Sequence, residues 1–192
     1  AMKLNTTGAD NVSVGVNSMD ANTTGQRNVA IGKDALKSND DGGYNIAIGF
    51  EALKANLASN NIAIGKSTLE ANTTGTRNLA IGYEAYVGSD TENDNIAIGY
   101  NAMTANTAGG TANVAIGNYT MDTLTSGDEN TAVGYQSMSA ITTASDCVSM
   151  GYWSGVDITT GINNTVIGVY SGQSITEGQE NTSVGKSAGT NI

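Results

Sequence analysis

The chain has 192 residues, a net charge of −10 and a single cysteine, and it contains no histidine and no proline. The lack of histidine excludes Ser-His-Asp and Cys-His nucleophiles, so we expect no enzyme, and a single cysteine excludes an intrachain disulfide. No apolar run approaches the ~20 residues of a membrane span, and the acidic balance disfavours nucleic acid, so we expect neither membrane insertion nor a nucleic-acid partner.

The charge is unevenly distributed. Residues 1–77 hold seven bases and seven acids, whereas residues 78–192 hold one base, Lys186, and eleven acids. The second part therefore carries the whole net charge. Solubility is one interpretation, and attraction of a cation or a basic partner is the other.

A five-residue motif, Asn28-Val29-Ala30-Ile31-Gly32, recurs eleven times at steps of 16 to 18 residues. Such a fixed short period predicts a repeat architecture. With Asn28 and its equivalents as position 0, positions +1 and +3 are mostly apolar and position +2 is small. This alternation predicts a strand, and the glycine at +4 ends it. We expect +1 and +3 to fill each roll and +2 to let neighbouring rolls meet. The residues assigned to core or trimer packing are Val29, Ala30, Ile31, Ile46, Ala47, Ile48, Ile96, Ala97 and Ile98.

A second short segment follows each motif, as in Lys33-Asp34-Ala35-Leu36, with a small residue at +7 and a large apolar one at +8. We predict a second short strand here, followed by a polar Thr/Gly turn that leads into the next motif. Eleven such layers at about 4.8 Å each would form a rod on the order of 50 Å long. A helical solenoid is disfavoured, because 17 residues with two fixed glycines leave no room for two helices.

One change runs across the repeats. Position +11 is asparagine or serine up to Asn106 and then becomes Leu124, Ile141, Ile158, Ile175 and Ile192, while +8 becomes Gly155, Gly172 and Gly189. This exchange keeps each layer filled and predicts a change of shape near residues 121–155. We therefore divide the chain into 1–10 (Ala1-Met2, which resembles a cloning scar, and the start of the first repeat), 11–146 (repeats one to eight) and 147–192 (repeats nine to eleven). Since the repeats run to both ends, we expect a fragment of a longer protein.

Self-association is expected, because a lone roll would leave a long face of Val, Ile and Ala in water. Three chains around a threefold axis would bury that face.

Asn-Val-Ala-Ile-Gly with a following Ala-Leu and a Thr-Thr-Gly turn resembles the head repeats of trimeric autotransporter adhesins and of phage tail-fibre-like proteins. The resemblance covers residues 5–192 and implies a left-handed parallel β-roll that packs as a homotrimer. The 17-residue period is longer than the common autotransporter repeat and favours the fibre-like branch. Cys147, which replaces the motif asparagine, is a second departure.

Two groups of residues are candidate sites. Asp90, Glu92 and Asp94 form the densest oxygen cluster and are the candidate ligands of a structural cation, the one cofactor we consider. Aromatic residues recur at +5 and +6, where they could bind a ligand or cover the seam between rolls. The candidate ligand-binding residues among them are Tyr135, Tyr152, Trp153 and Tyr170.

The sequence thus predicts a segment of a homotrimeric extracellular fibre, on a cell surface or a virion, that adheres to a cell-surface glycan or protein. A purely structural spacer is the main alternative. An ice-binding surface is a further one, suggested by Thr pairs in the turns, and a carbohydrate-cleaving spike is the last, suggested by paired turn acids.

Overall fold

The computed structural model describes residues 1–105 and 109–190. This part of the chain contains eleven three-residue strands and no helix, and the strands form one parallel sheet in chain order. The chain is therefore a β-solenoid of about ten turns, as predicted. No described helix is long and apolar enough to cross a membrane. The strands are β1 (Val12–Val14), β2 (Val29–Ile31), β3 (Ile46–Ile48), β4 (Ile62–Ile64), β5 (Leu79–Ile81), β6 (Ile96–Ile98), β7 (Val114–Ile116), β8 (Thr131–Val133), β9 (Val148–Met150), β10 (Thr165–Ile167) and β11 (Thr182–Val184).

Neighbouring strands pair in perfect repeat register, so that equivalent residues lie side by side. In β2 and β3, for example, Ala30 is opposite Ala47. The 16-residue step before β4 and the 18-residue step before β7 do not disturb this pairing. The difference in length is therefore taken up by the turns, and every column of the sequence becomes a straight column of side chains.

The motif asparagine at position 0 bonds each layer to the next in two ways. Asn113 is fully buried. Its Nδ2 donates to the carbonyl of Gly127 at 2.8 Å, and its Oδ1 accepts from the backbone N–H of Asn130 at 2.9 Å. Buried backbone groups need such partners. The same pair of bonds recurs at Asn11, Asn28, Asn45, Asn61, Asn78, Asn95 and Asn164, and we call this column the asparagine ladder.

Cys147 is the one exception in the motif column. Its Sγ lies 3.3 Å from the carbonyl oxygen of Gly161 and can donate to it, and its backbone N–H still bonds to Asn130 Oδ1 at 3.1 Å. The thiol therefore replaces the amide donor but brings no carbonyl acceptor to the ladder.

The strands face the opposite way from the prediction. Ala30, Ala47 and Ala97 at position +2 are fully buried, whereas Ile31 at +3 is 39% exposed. Val29, Ile46 and Ile48 are half-buried, as are Ile96 and Ile98. The assignment of +1 and +3 to the roll interior was wrong. The physical reason is the width of the roll, since its interior is filled by the large residues at +8, such as Leu36 and Tyr86, which leave room only for a small residue opposite.

The predicted second strand was also wrong. No strand is assigned in this segment over the described residues, because alternate residues have a left-handed backbone, as in Asp34 (φ 57°) and Leu36 (φ 49°). A pleated strand cannot contain such residues. The layers are nevertheless bonded here, since Leu36 N–H donates to the carbonyl of Ala52 at 2.9 Å and Tyr86 N–H to that of Ala102 at 2.8 Å. These cross-layer bonds hold non-glycine residues in a conformation that they rarely adopt.

The glycine that ends each strand is required by close approach of the layers. Gly32 has φ +139°, and a Cβ added to it would lie 2.2 Å from the carbonyl oxygen of Gly49 in the next layer. Any side chain would push the two layers apart, so this column combines a positive φ with a close backbone approach.

Large residues at +11 pack into the space that is left where the residue at +8 becomes glycine. Leu124, Ile141 and Ile158 are fully buried. A Cβ added to Gly155 would lie 2.9 Å from Ile158 Cδ1 and 3.0 Å from Val166 Cγ2. The isoleucine therefore occupies the space that a large +8 residue fills in earlier repeats. The backbone keeps its register and its left-handed positions through this region, and the change of shape near 121–155 stays a prediction. Asn106 and Ile192 lie outside the described residues.

The asparagine ladder makes a prediction about stability. Asn113→Ala removes a donor and an acceptor from two buried backbone groups and is expected to lower the free energy of unfolding by about 2–4 kcal/mol. Cys147→Asn supplies the missing carbonyl acceptor and is expected to raise it by about 0.5–1.5 kcal/mol. Urea unfolding followed by circular dichroism measures both.

Thr143→Ala, a change at an exposed turn residue, is the control. If Asn113→Ala costs no more than this control, the ladder does not hold the layers together.

Candidate functional site

The outer surface of the sheet is a mostly apolar face, in which threonine occupies the first position of β8, β10 and β11. The first and third residues of every strand point away from the roll interior, and we call these two columns the sheet face. Its most exposed members include residues at the start, middle and end of the rod: Val14, Ile31, Ile64, Ile116, Met150, Ile167 and Val184. Nothing in the described part of this chain covers them. A surface of this length and composition marks an interaction site in soluble proteins.

Beyond the glycine corner, the aromatic residues at +5 and +6 form a second exposed feature. Their ring centroids lie 5.0–6.4 Å apart in an unbroken series. We call this series the aromatic ridge: Tyr83, Tyr100, Tyr119, Tyr135, Tyr152, Trp153 and Tyr170. The structure thus brings the four predicted ligand-binding residues together at its C-terminal end.

The rings of the ridge pack against one another along the rod. Tyr83 and Tyr100 are stacked with an interplanar angle of 8°, and Tyr135 and Tyr152 are stacked with an angle of 11°. Because each stacked ring turns its face to its neighbour, the ridge presents mainly ring edges and hydroxyl groups to solvent. A sugar ring therefore meets edges and hydrogen-bonding groups here rather than an open aromatic platform.

The C-terminal end of the ridge differs from the rest in having an indole. Trp153 lies 6.0 Å from Tyr152 and 6.4 Å from Tyr170, between ring centroids. Its Nε1 is buried and has no hydrogen-bond partner in the described chain. Buried donors of this kind normally find an acceptor, so the C-terminal end of the ridge contains a donor whose hydrogen bond is not made within the described chain.

Lysines extend the ridge toward the N-terminus. Lys66 lies over the ring of Tyr83 at 4.8 Å, and Lys33 lies over Phe50 at 5.5 Å. The hydrogen bond that the Lys66 ammonium donates to the Tyr83 hydroxyl (3.3 Å) raises the pKa of Lys66. Two lysines therefore precede the aromatic ridge on the same side of the rod, whereas the seven side chains of the ridge itself are uncharged.

The three carboxylates of the candidate cation site are not brought together. Asp94 forms a bidentate pair with Arg77 at 2.6 and 2.7 Å, and this contact holds the pKa of Asp94 below its usual range. Asp90 accepts a hydrogen bond from the Thr73 hydroxyl in the preceding layer. Among the described residues, no group of three or more His, Cys, Asp or Glu could hold a metal ion.

Glu92 instead points into the roll and is only 3% exposed. Its Oε2 accepts from the backbone N–H of Asp90 (2.8 Å) and Thr91 (3.1 Å), and its Oε1 accepts from Gly109 N–H (3.1 Å). It replaces the glycine at −3 in the same layer in which Ser89 replaces the asparagine at +11. This paired replacement is the signal in the sequence that could have identified Glu92 as an interior residue.

Tyr86, the largest fully buried side chain, lies beside this glutamate. Asn95 Nδ2 donates to its hydroxyl at 2.6 Å. Burial, together with the nearby charge of Glu92, raises the pKa of Tyr86 well above its usual range. Burial likewise raises the pKa of the Cys147 thiol, which disfavours its nucleophilic thiolate form.

The threonine turns form a ladder of their own. Thr125, Thr142 and Thr159 each donate a side-chain hydrogen bond to the carbonyl of the next turn at 2.9–3.1 Å. Their hydroxyl protons are thus used within the chain and are not free to order a water lattice. Asp40, Leu57 and Asp90 interrupt the same column.

A groove with a volume of about 490 Å³ lies on a different side of the rod from the sheet face and the aromatic ridge. It is lined by Ser38, Lys54, Ala55, Glu70, Ala71 and Val87. Its one carboxylate, Glu70, contacts Lys54 Nζ at 3.3 Å. Glycoside hydrolysis uses a pair of carboxylates across the scissile bond, and this groove does not contain such a pair.

Comparison of the chain with known protein families, with curated proteins and with solved structures finds no match. The candidate sites are therefore defined by geometry, and the sheet face and the aromatic ridge are the two that carry a functional argument.

The position of Glu92 makes a prediction that separates a backbone anchor from a cation ligand. Glu92→Ala leaves three backbone N–H groups without their acceptor and is expected to lower the free energy of unfolding by about 2–4 kcal/mol. Added calcium chloride is expected to leave the thermal midpoint of the wild-type chain unchanged.

Glu129→Ala, which removes an exposed turn acid, is the control. If calcium raised the thermal midpoint of the wild type but not that of Glu92→Ala, the result would support a cation site at Glu92.

Proposed function

We propose that this chain is a segment of a homotrimeric extracellular fibre, on a cell surface or a virion, in which the sheet face packs between copies. The observation that carries this proposal is the burial pattern of the strands, with the small residue inside the roll and the aliphatic residues outside it. Ile64 is 37% exposed while its neighbour Ala63 is fully buried. Selection for solubility alone would place polar residues in the outward columns of a sheet that faces water.

The size of the sheet face suits self-association. Eleven strands at about 4.8 Å, each three residues of about 3.3 Å, give a face on the order of 500 Å². This area is near the upper end for a patch on a monomer, and with the neighbouring ridge it approaches the ~800 Å² that each partner contributes to a stable interface.

The shape of the apolar surface supports threefold packing. Three rods around an axis parallel to their length each need two contact faces that meet at an angle. The glycine corner after each strand separates the sheet face from the aromatic ridge and supplies such an angle. The ridge then lies at the rim of the interface, along the groove between copies, where part of it stays accessible.

Assembly through the sheet face predicts the oligomeric state of a matched pair of variants. The triple variant Ile31→Ser, Ile64→Ser, Ile116→Ser is expected to sediment as a folded monomer under conditions in which the wild type sediments as a trimer, because each change places a hydroxyl in the buried face. Circular dichroism checks that the variant keeps its fold.

The control variant, Leu4→Ser, Tyr44→Ser, Leu57→Ser, removes three large side chains from other parts of the surface, which are 47–58% exposed against 37–39% for the three isoleucines. It is expected to remain trimeric. A monomeric wild type, or a trimer that survives the sheet-face changes, would contradict the proposal.

For recognition we propose the C-terminal end of the aromatic ridge, with a cell-surface glycan or protein as the partner. Tyr135, Tyr152, Trp153 and Tyr170 supply ring edges, hydroxyls and an indole ring in one place, and aromatic residues of this kind dominate the energy of binding surfaces. These four side chains are uncharged, which suits a neutral glycan or an uncharged protein surface.

This proposal predicts that the assembled Tyr152→Ala and Trp153→Ala variants each bind the ligand at least tenfold more weakly than the assembled wild type, a difference of about 1.4 kcal/mol or more. A glycan array and whole-cell binding supply the ligands to be compared. Tyr44→Ala, which removes an exposed tyrosine away from the ridge, is the control and is expected to bind like the wild type.

A spacer function is the second candidate. The strict register of eleven strands and the asparagine ladder support it, because a spacer needs only a stiff and regular rod. Absence of any binding by the correctly assembled wild type would favour the spacer over the adhesive segment.

A further inference from the structure

Two pairs of tyrosines in the ridge are held with their rings parallel and in contact range. The centroids of Tyr83 and Tyr100 are 5.0 Å apart, and those of Tyr135 and Tyr152 are 5.4 Å apart. All four side chains are 37–44% exposed. Each pair joins equivalent positions in consecutive layers, so the two rings are close in space although they are 17 residues apart in sequence.

The backbone next to each pair is also bonded across the layers. Asn101 N–H donates to the carbonyl of Tyr83 at 3.0 Å, and Trp153 N–H donates to that of Tyr135 at 3.0 Å. These bonds hold the backbones of each pair one layer apart, which keeps the two phenols within reach of each other in the folded chain.

We propose that Tyr83–Tyr100 and Tyr135–Tyr152 are sites of oxidative cross-linking to dityrosine. The oxidant is of the peroxidase class, a haem enzyme that takes one electron at a time and consumes hydrogen peroxide. Each phenol gives up one electron and its hydroxyl proton. The two tyrosyl radicals then combine through the ring carbons beside the hydroxyls, and the hydrogen on each of those carbons moves to the phenol oxygen. Two hydrogens are lost in all, and one peroxide becomes two waters.

Such a link would covalently join consecutive layers of a rod that cannot form an intrachain disulfide. Each layer of a solenoid contacts only its neighbours, so the stack can open layer by layer. The chain has one cysteine, which is buried, and cannot form an intrachain disulfide. A cross-link between layers restricts the unfolded chain in the way that a disulfide does.

The chain carries its own controls for this chemistry. Tyr44 is 54% exposed but has Arg27 against its ring in place of another tyrosine, and Tyr86 is fully buried. The tilted contacts of Tyr119, at 59° and 79° to its neighbours, test whether parallel stacking or distance alone decides the coupling.

The test is treatment of the purified, assembled protein with a haem peroxidase and hydrogen peroxide, followed by digestion after acidic residues and mass spectrometry. Acids lie between the members of each pair (Glu84 to Asp94 in the first, Asp146 in the second), whereas no lysine or arginine does. We expect cross-linked peptides that have lost two hydrogens and join Tyr83 to Tyr100 and Tyr135 to Tyr152. Denaturing electrophoresis is expected to show the product as a single chain.

Tyr100→Phe and Tyr152→Phe are expected to abolish the respective links, while Tyr44→Phe leaves both yields unchanged. The thermal midpoint is expected to rise on oxidation of the wild type and to rise less in each single variant. Dityrosine that mainly joins different chains, that involves Tyr44, or that does not form between the stacked pairs would overturn the proposal. None of these results depends on whether the fibre binds a ligand.

Discussion

The need to satisfy buried backbone groups in every layer governs the rest of this structure. A coil of 17 residues is narrow, and the carbonyl groups of its turns face inward, where water is excluded. Each of these carbonyls therefore needs a donor from within the chain. An asparagine at the start of each strand both accepts from and donates to the next layer, as Asn95 does with the N–H of Asn113 and the carbonyl of Gly110. Because the same side chain performs both tasks in each layer, the layers must stack in register, and every column of the sequence becomes a column on the surface.

Register has a consequence for the surface of the molecule. Once the interior holds an asparagine and a large +8 residue, only a small side chain fits at the centre of the strand, and Ala47 and Ala97 are fully buried there. The β-branched residues on either side are then turned outward in two straight columns. The apolar face that the proposed assembly uses is in this sense a result of the narrow roll. The aromatic ridge follows from the same register, which places Tyr135 and Tyr152 in contact although nothing in a single repeat requires it.

The period, the strand positions, the glycine corners and the volume exchange at Gly155 could be read from the sequence, because each depends on a residue type that recurs at a fixed place. The direction of the strand could not, since Ile-Ala-Ile alternates equally well with either face inside, and the choice depends on how wide the coil is. The second predicted strand was wrong for a different reason. Left-handed residues such as Leu53 are held by bonds between layers, and residue type alone does not indicate them. Glu92 looked like a surface acid because its burial depends on Ser89 in the same layer.

The most direct measurement is thiol labelling of two neighbouring cysteine variants in a Cys147→Ser background. Ala63→Cys is expected to resist a maleimide reagent at every protein concentration, because this position lies inside the roll. Ile64→Cys is expected to react quickly in dilute, dissociated protein and to become protected as the copies assemble. Equal reactivity at the two positions would contradict the orientation of the strands, and reactivity of Ile64→Cys that is independent of concentration would contradict assembly through the sheet face.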